Sequence, residues 1–320
     1  MARLHMDAGG AFGPTLGYTL VAMAQRTVAI TGGTGLIGRA LCPVLLEKGY
    51  RTIVLSRSGR APAGAEAVRW DGKSIPSGLL PSEGLSAIIN LAGAGIADKR
   101  WSAAYKQEIR ESRVQATQAV VQWLEKNAPQ VRLISASAVG YYGTSLLRER
   151  VSEDFPSGSD FLAGVARAWE SAAWDAPRTP VIFRIGVVLS KNGGAFPQLL
   201  RGFRLGVGSY PGPGEQGFSW VHIEDVVRAL IWVLEHPEIE GVLNLTAPIP
   251  VSMRAFAEEV ARRLNIRILI AIPPKVLHWT LGELADMLVG GIYAEPVRLL
   301  EERFVFRYRT VKEALAELLG

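Results

Sequence analysis

The sequence predicts an α/β protein: a doubly wound parallel sheet with helices on both faces, completed by a small mixed α+β C-terminal lobe. Three observations predict it. From residue 26 onward short β-branched runs alternate with longer amphipathic ones, the pattern of strands joined by crossover helices. A glycine-rich turn, TGGTGLIG at 31–38, joins the first of those runs directly to a helix. Past Pro248 the alternation gives way to helices over Ser252–Leu264, Lys275–Val289 and Thr310–Leu319, with short strands near Arg267–Ile270 and Phe304–Phe306. At 320 residues and 48% hydrophobic content the chain can bury a core in each part, which excludes a disordered or fibrous protein.

Residues 1–24 are rich in Gly and small side chains and show no helical or strand period. Arg3, the apolar run Leu16–Val21 and the triplet Ala22-Met23-Ala24 have the outline of a signal peptide, but Asp7 and Pro14 interrupt it. The preferred reading is a disordered extension ahead of a start at Met23. Strands then follow at Thr27–Thr31, Thr52–Ser56, Ala67–Trp70, Ala87–Leu91, Arg132–Ala136, Val181–Ile185 and Val242–Thr246. The clearest helix is Ala103–Lys126, whose Ile109, Val114, Ala116, Val120, Val121 and Leu124 form one stripe and which Asn127 and Pro129 end. Gly193–Gly217 is dense in Gly and Pro and reads as an excursion out of the sheet. The expected organisation is therefore a nucleotide-binding domain over 25–190, an excursion over 191–220, a return to the sheet over 221–247 and a substrate lobe over 248–320.

Composition narrows the function classes. The net charge of +5 is spread along the chain, and aromatic-interleaved basic runs are missing, so no nucleic-acid partner is expected. No apolar stretch reaches the length of a membrane span, and no membrane partner is expected. The single cysteine, Cys42, excludes a disulfide framework and points to a reducing, cytoplasmic setting. The four histidines fall at no metal-ligand spacing, so no metal is expected. The partner left is a small-molecule substrate, while the oligomeric state is open.

The glycine turn carries the chemistry. Gly32, Gly35 and Gly38, with Thr34, Leu36 and Ile37 between them, place free backbone N–H groups at a helix start, where they hold the diphosphate of a dinucleotide in a Rossmann-type fold. The second strand ends in Ser56-Arg57-Ser58, where an NAD enzyme would place an acid for the ribose hydroxyls. A guanidinium flanked by hydroxyls suits a 2'-phosphate, so NADP(H) is preferred over NAD(H). An exposed strand-end arginine, with Arg60 sharing or taking over the role, is the alternative. Asn90, Leu91, Ala92 and Gly93 end the fourth strand with small residues that let the dinucleotide lie against the loop.

These motifs, together with RWSAAYKQEIRESR at Arg100–Arg113, SAVGYYG at Ser137–Gly143, FRIGVVLS at Phe183–Ser190 and WVHIEDV at Trp220–Val226, resemble the atypical extended short-chain dehydrogenase/reductases. More narrowly, the chain is similar to NAD-dependent epimerase/dehydratase-like oxidoreductases that end in a domain of unknown function. The resemblance runs from about Gln25 to Gly320. It departs at Arg303, where that family usually carries glycine. It implies that Ser56 and Arg57 hold the adenosine phosphate, that Leu91 and Ala92 line the crevice, that Glu108 and Arg113 reach the cofactor from the side, and that Val188 approaches the nicotinamide.

Members of the wider superfamily use a Ser or Thr, then a Tyr some two dozen residues on, and a Lys four past that. Ser137 fits the first place, but Phe161 stands 24 residues later and Val165 four beyond it, and neither can move a proton. Tyr141 and Tyr142 are the nearest substitutes, as proton donors or as pocket wall. Lys99 and Arg100 are candidates for holding an anionic substrate, or are simply solvated. His222 is a candidate substrate contact or a buried, hydrogen-bonded histidine. The expected function is an NADP(H)-dependent oxidoreductase or epimerase-like protein acting on a small carbonyl or sugar-like molecule. The alternative is a non-catalytic NADP(H)-binding redox sensor.

Overall fold

In the strand Thr27–Thr31 (β1) all five side chains are buried, as a strand covered on both faces requires. Six further strands join it: Arg51–Ser56 (β2), Glu66–Arg69 (β3), Leu85–Asn90 (β4), Arg132–Ala138 (β5), Val181–Ile185 (β6) and Gly241–Leu245 (β7). The structure is a computed structural model and describes residues 26–144 and 150–320; the extension expected over 1–24 lies outside them. All pairings in this sheet are parallel, in the order β3-β2-β1-β4-β5-β6-β7. The order reverses between β1 and β4, where Thr31 stands opposite Leu55 on one side and Asn90 on the other. In open α/β sheets such a switch point, at the carboxyl ends of the strands, forms the ligand-binding crevice.

Alternation along each strand feeds two cores. Ile30, Val54, Ile89 and Phe183 face the helices Leu36–Glu47 (α1) and Ile223–Glu235 (α4). Their neighbours Ala29, Ile53, Ile88 and Ile182 face Ala103–Asn127 (α2), whose Ala116, Val120 and Leu124 fill that layer. Phe161–Trp174 (α3) lies beside α2. Each fully buried Leu, Ile or Phe contributes about 1.5–3 kcal/mol, so these two layers hold the sheet rigid beneath the crevice.

After β6 the chain leaves the sheet. Val187–Leu189 pairs in parallel with Trp220–His222, and Val207–Pro211 pairs in parallel with Ile268–Ile272, far along the chain. Phe196, Phe203, Phe218, Trp220, Phe256 and Leu315 form the core of this lobe, with helices Met253–Arg263 (α5), Pro274–Leu281 (α6), Leu284–Val289 (α7) and Val311–Leu319 (α8). The single helix expected over Lys275–Val289 is two, because Gly282 takes φ 63° and breaks it. The strand expected at Phe304–Phe306 does not form. The Phe304 amide closes the preceding helical turn on the Leu299 carbonyl, and just past the segment the Arg307 and Tyr308 amides donate to the Asp225 carboxylate, so both flanks are drawn away from a strand ladder. Among the described residues no helix is long and apolar enough to cross a membrane.

Candidate functional site

The crevice is built first from glycine. Gly32 takes φ 68°, and a Cβ there would fall 2.5 Å from the Leu91 carbonyl oxygen, so the turn after β1 touches the turn after β4 only because no side chain intervenes. A Cβ on Gly38 would meet Gly33 Cα at 2.3 Å, which fixes how closely α1 lies on its strand. Gly35 caps α1 without a side-chain hydrogen bond, leaving the first-turn amides at Leu36 and Ile37 open to an anion. Thr34 is exposed at the lip, its carbonyl accepting from Arg39 Nη1 at 2.9 Å, a brace that sequence reasoning missed.

Opposite, Leu91 and Ala92 are half-buried and Gly93 is exposed, while Asn90 is turned inward. The Asn90 side chain accepts from Thr31 Oγ1 at 2.6 Å and donates to Thr117 Oγ1 and Ser135 Oγ, so it locks the strand ends. Arg113 lies under the same loop and donates to the carbonyls of Ala94 and Ile109 at 3.0 and 2.8 Å. Burial pulls its pKa down to about 10, and it has no carboxylate partner among the described residues. Glu108, expected beside it, is an exposed residue whose carboxylate pairs with Lys99 at 3.2 Å.

At the β2 end of the crevice the Ser56 hydroxyl donates to the Arg60 carbonyl at 2.7 Å and accepts from the Arg60 amide, which closes the turn there. Ser56 thus shapes the turn that presents Arg57. Arg57 and Arg60 are both exposed and carry no ion pair among the described residues. At the other end Val188 is half-buried on the strand beside Trp220–His222, and Gly194 comes so close to α1 that a Cβ would meet Leu36 Cδ2 at 2.8 Å.

The expected catalytic serine is committed elsewhere. Ser137 is buried and donates to Glu170 Oε1 at 2.6 Å. Glu170 takes two further bonds, both 2.9 Å, from Nε and Nη2 of Arg184, and this ion pair is 5% exposed on each side. Arg184 Nη1 also donates to the Tyr142 hydroxyl and the Glu153 carbonyl, and Tyr142 in turn donates to Asn244 Oδ1 at 2.7 Å. Burial drives the Tyr142 phenol up to about 12, so it is no proton donor near neutrality. Burial opposes the charge on Arg184, but the hydrogen bonds and charge of Glu170 outweigh it and hold its pKa above the ordinary value. Tyr141 is half-buried, its ring 3.4 Å from Arg184 Cζ, and its hydroxyl makes no bond among the described residues. Of the proposed catalytic groups, it alone has a free polar atom. A signal for the network was present in the sequence: a lone arginine inside the otherwise apolar run Val181–Ile185.

Phe161 opens α3, edge-on to Trp101 with centroids 5.1 Å apart, and Val165 is buried against Tyr105 and Ile109. The places of the usual tyrosine and lysine are thus filled by packing. Beside Phe161 is a cavity of about 450 Å³ between α2, α3 and the α6–α7 turn. Lys99 stands outside it, tied to Glu108 and over the Tyr105 ring, and Arg100 packs against Gly282. His222 is buried with both ring nitrogens engaged: Nδ1 accepts from the Glu224 amide at the start of α4, and Nε2 faces Glu317 of α8 at 3.2 Å. It is therefore a structural tie between α4 and α8, with no free nitrogen for a substrate.

The profile described as the NAD dependent epimerase/dehydratase family matches residues 28–245. The chain belongs to that family. A second profile, a domain of unknown function (DUF1731), matches residues 272–318, the end of the lobe. An epimerase family protein of Arabidopsis thaliana, the chloroplastic SDR39U1 homolog, is 37% identical over 309 residues, covering 92% of this chain and 87% of its own. The epimerase family protein YfhF of Bacillus subtilis is 34% identical over 303 residues, 92% of this chain and 98% of its own. Among solved structures, human epimerase family protein SDR39U1 with NADPH has a TM-score of 0.81 at 33% identity, covering 91% of this chain and 98% of that one. A nucleoside-diphosphate sugar epimerase from Corynebacterium glutamicum has a TM-score of 0.74 at 31% identity, covering 92% of this chain and 58% of that one. Family membership accounts for the parallel sheet, the glycine turn and the terminal lobe together.

Proposed function

We propose that the protein is an NADP(H)-dependent oxidoreductase or epimerase-like enzyme acting on a small carbonyl or sugar-like substrate, with NADP(H) preferred over NAD(H). The observation that carries this reading is the crevice between the turns after β1 and β4. Its walls touch only through glycine, its floor is an uncapped helix start, and an unpaired Arg57 stands at its adenosine end. The residues present fit a dinucleotide phosphate. A nicotinamide held there would supply or accept a hydride. The chain's own part would be to hold the diphosphate on the α1 amides and the 2'-phosphate on Arg57, to keep the loop at Gly93 seated on Arg113, and to donate a proton from Tyr141. The lone Cys42, its thiol driven up to about 11 by burial, suits a reducing, cytoplasmic setting.

The cofactor part is tested by titrating NADPH and NADH against the wild type and Arg57→Ala. Loss of one charge-assisted phosphate contact of about 1.5–3 kcal/mol lowers the NADPH affinity roughly tenfold or more and leaves NADH nearly unchanged. An unchanged affinity ratio refutes the assignment. The chemistry is tested by following label from stereospecifically deuterated NADPH into a panel of carbonyls, with Tyr141→Phe as the control. One observation favours a second reading, a non-catalytic NADP(H) sensor: the usual proton relay is replaced by Phe161 and Val165, and Ser137 is tied to Glu170. Tight NADPH binding with no label transfer to any carbonyl would support it.

A further inference from the structure

The cavity beside Phe161, the residue at the place of the family's usual tyrosine, is half-enclosed between α2, α3 and the lobe. Lys106 of α2 and Trp101 form one side, Asp160 and Phe161 at the start of α3 another, and Glu283 and Asp286 of the lobe the third. At about 450 Å³ it has the size of a small-molecule pocket. Its chemistry is uneven. Among the described residues Lys106 is the single cation in the wall, and its ammonium is held by Glu283 at 2.5 Å while lying 4.7 Å from the Phe161 ring centroid. Asp160 accepts from the amides of Ala163 and Thr144 and from the Thr144 hydroxyl, and Asp286 faces His278 at 2.7 Å. Carboxylates outnumber cations among the described residues here whether or not His278 is protonated. Arg110 of α2 and Arg167 of α3 line a second, more open depression that shares Asp160 and Phe161 with this cavity.

Resting on the reading that the crevice holds the cofactor, we propose that this cavity is the substrate pocket and that it selects an uncharged or cationic carbonyl compound carrying an aromatic or bulky apolar group. It excludes the diphosphate of a nucleotide sugar. A diphosphate would enter a half-enclosed space whose described wall holds three carboxylates and one ammonium already paired, with the Arg100 guanidinium stacked on Gly282 outside that wall, whereas the Trp101 and Phe161 rings give the wall apolar surface for a ring or a quaternary ammonium. The Lys106–Glu283 pair gives the selection its switch, since Glu283 keeps the one ammonium from an incoming anion.

The test uses the full chain loaded with NADP+ and three para-substituted benzaldehydes, the isosteric pair 4-(trimethylammonio)benzaldehyde and 4-tert-butylbenzaldehyde and the smaller 4-carboxybenzaldehyde, together with UDP-glucose, all titrated by calorimetry. The cationic and neutral probes are expected to bind, the carboxylate about tenfold more weakly than the cation, and UDP-glucose not at all. Glu283→Gln, at a site that is largely solvent-exposed, frees Lys106 and should shrink the gap between cation and carboxylate to less than about threefold. Binding of UDP-glucose or of the carboxylate as tightly as the neutral probe overturns the proposal. So does failure of all three aldehydes to bind at millimolar concentration, or an unchanged gap in Glu283→Gln. NADP+ affinity measured in the same cell separates these outcomes from failure of the cofactor reading itself.

Discussion

Replacing Glu170 by Gln should be among the most damaging single changes this fold can take without altering its shape. Glu170 accepts three hydrogen bonds, two from Arg184 at 2.9 Å and one from Ser137 at 2.6 Å, and both members of the ion pair are almost fully removed from water. Glutamine keeps one acceptor oxygen but leaves a buried guanidinium without a counter-charge. Breaking one side of such a pair costs about 3–5 kcal/mol, a large share of the 5–15 kcal/mol that holds a typical domain. At about 2–4 °C per kcal/mol for chains approaching this size, the midpoint of thermal unfolding should fall by roughly 6–20 °C. The double variant Glu170→Leu with Arg184→Met removes both charges and should lose less stability than Glu170→Gln alone, because no buried charge is left unpaired. Urea unfolding followed by circular dichroism reads all three proteins. A loss below about 1 kcal/mol in Glu170→Gln, or a double variant less stable than the single one, would refute the reasoning.

Three further outcomes are expected. Gly32→Ala puts a methyl group 2.5 Å from the Leu91 carbonyl at φ 68°, so it should abolish NADPH binding in a fluorescence titration while the circular dichroism spectrum is retained. Arg303 sits at φ 62° on an exposed turn, a conformation that costs a side chain about 1 kcal/mol, so Arg303→Gly should raise stability by up to that amount in urea unfolding. Burial lowers the His222 pKa below its ordinary value, against the opposing pull of Glu317, Glu224 and Asp225. Between the folded pKa and about 6.5 the unfolded chain binds more protons, so this part of the stability is complete above about pH 6.5 and is lost as pH falls through the folded value. Comparing wild type with His222→Asn at pH 7.5 and pH 5.5 should show the smaller pH-dependent loss in the variant.

The sheet was readable because its strands, apart from the exposed edge strand β3, are short apolar runs largely buried on both faces, and the nucleotide turn because three glycines at fixed spacing follow such a run at once. Val181–Ile185 and Thr27–Thr31 fall where hydrophobic pattern alone puts them. What sequence could not supply is pairing across elements. Nothing local says that Glu170 on α3 reaches Arg184 on β6, and so nothing local says that Ser137 is already spoken for. Asn90 misled in the same way: a polar residue at a strand end fits a ligand contact as well as it fits the bonds to Thr31, Thr117 and Ser135 that it makes. The strand expected at Phe304–Phe306 failed because alternating burial of two phenylalanines imitates a strand, while neighbouring amides were taken by a helix end and by Asp225.

The parallel pairing of Val207–Pro211 with Ile268–Ile272 has a consequence for how the chain is made. On the ribosome the first of these strands emerges long before its partner, and Gly208, whose missing side chain leaves room for Phe203 and Leu269, waits with one of those neighbours still unsynthesised. A message cut short between residues 245 and 268 would therefore release a finished nucleotide-binding sheet bearing a half-built lobe, with one bare strand edge and an uncovered aromatic cluster. Such a fragment should be found in aggregates or bound to chaperones rather than as a working half-protein.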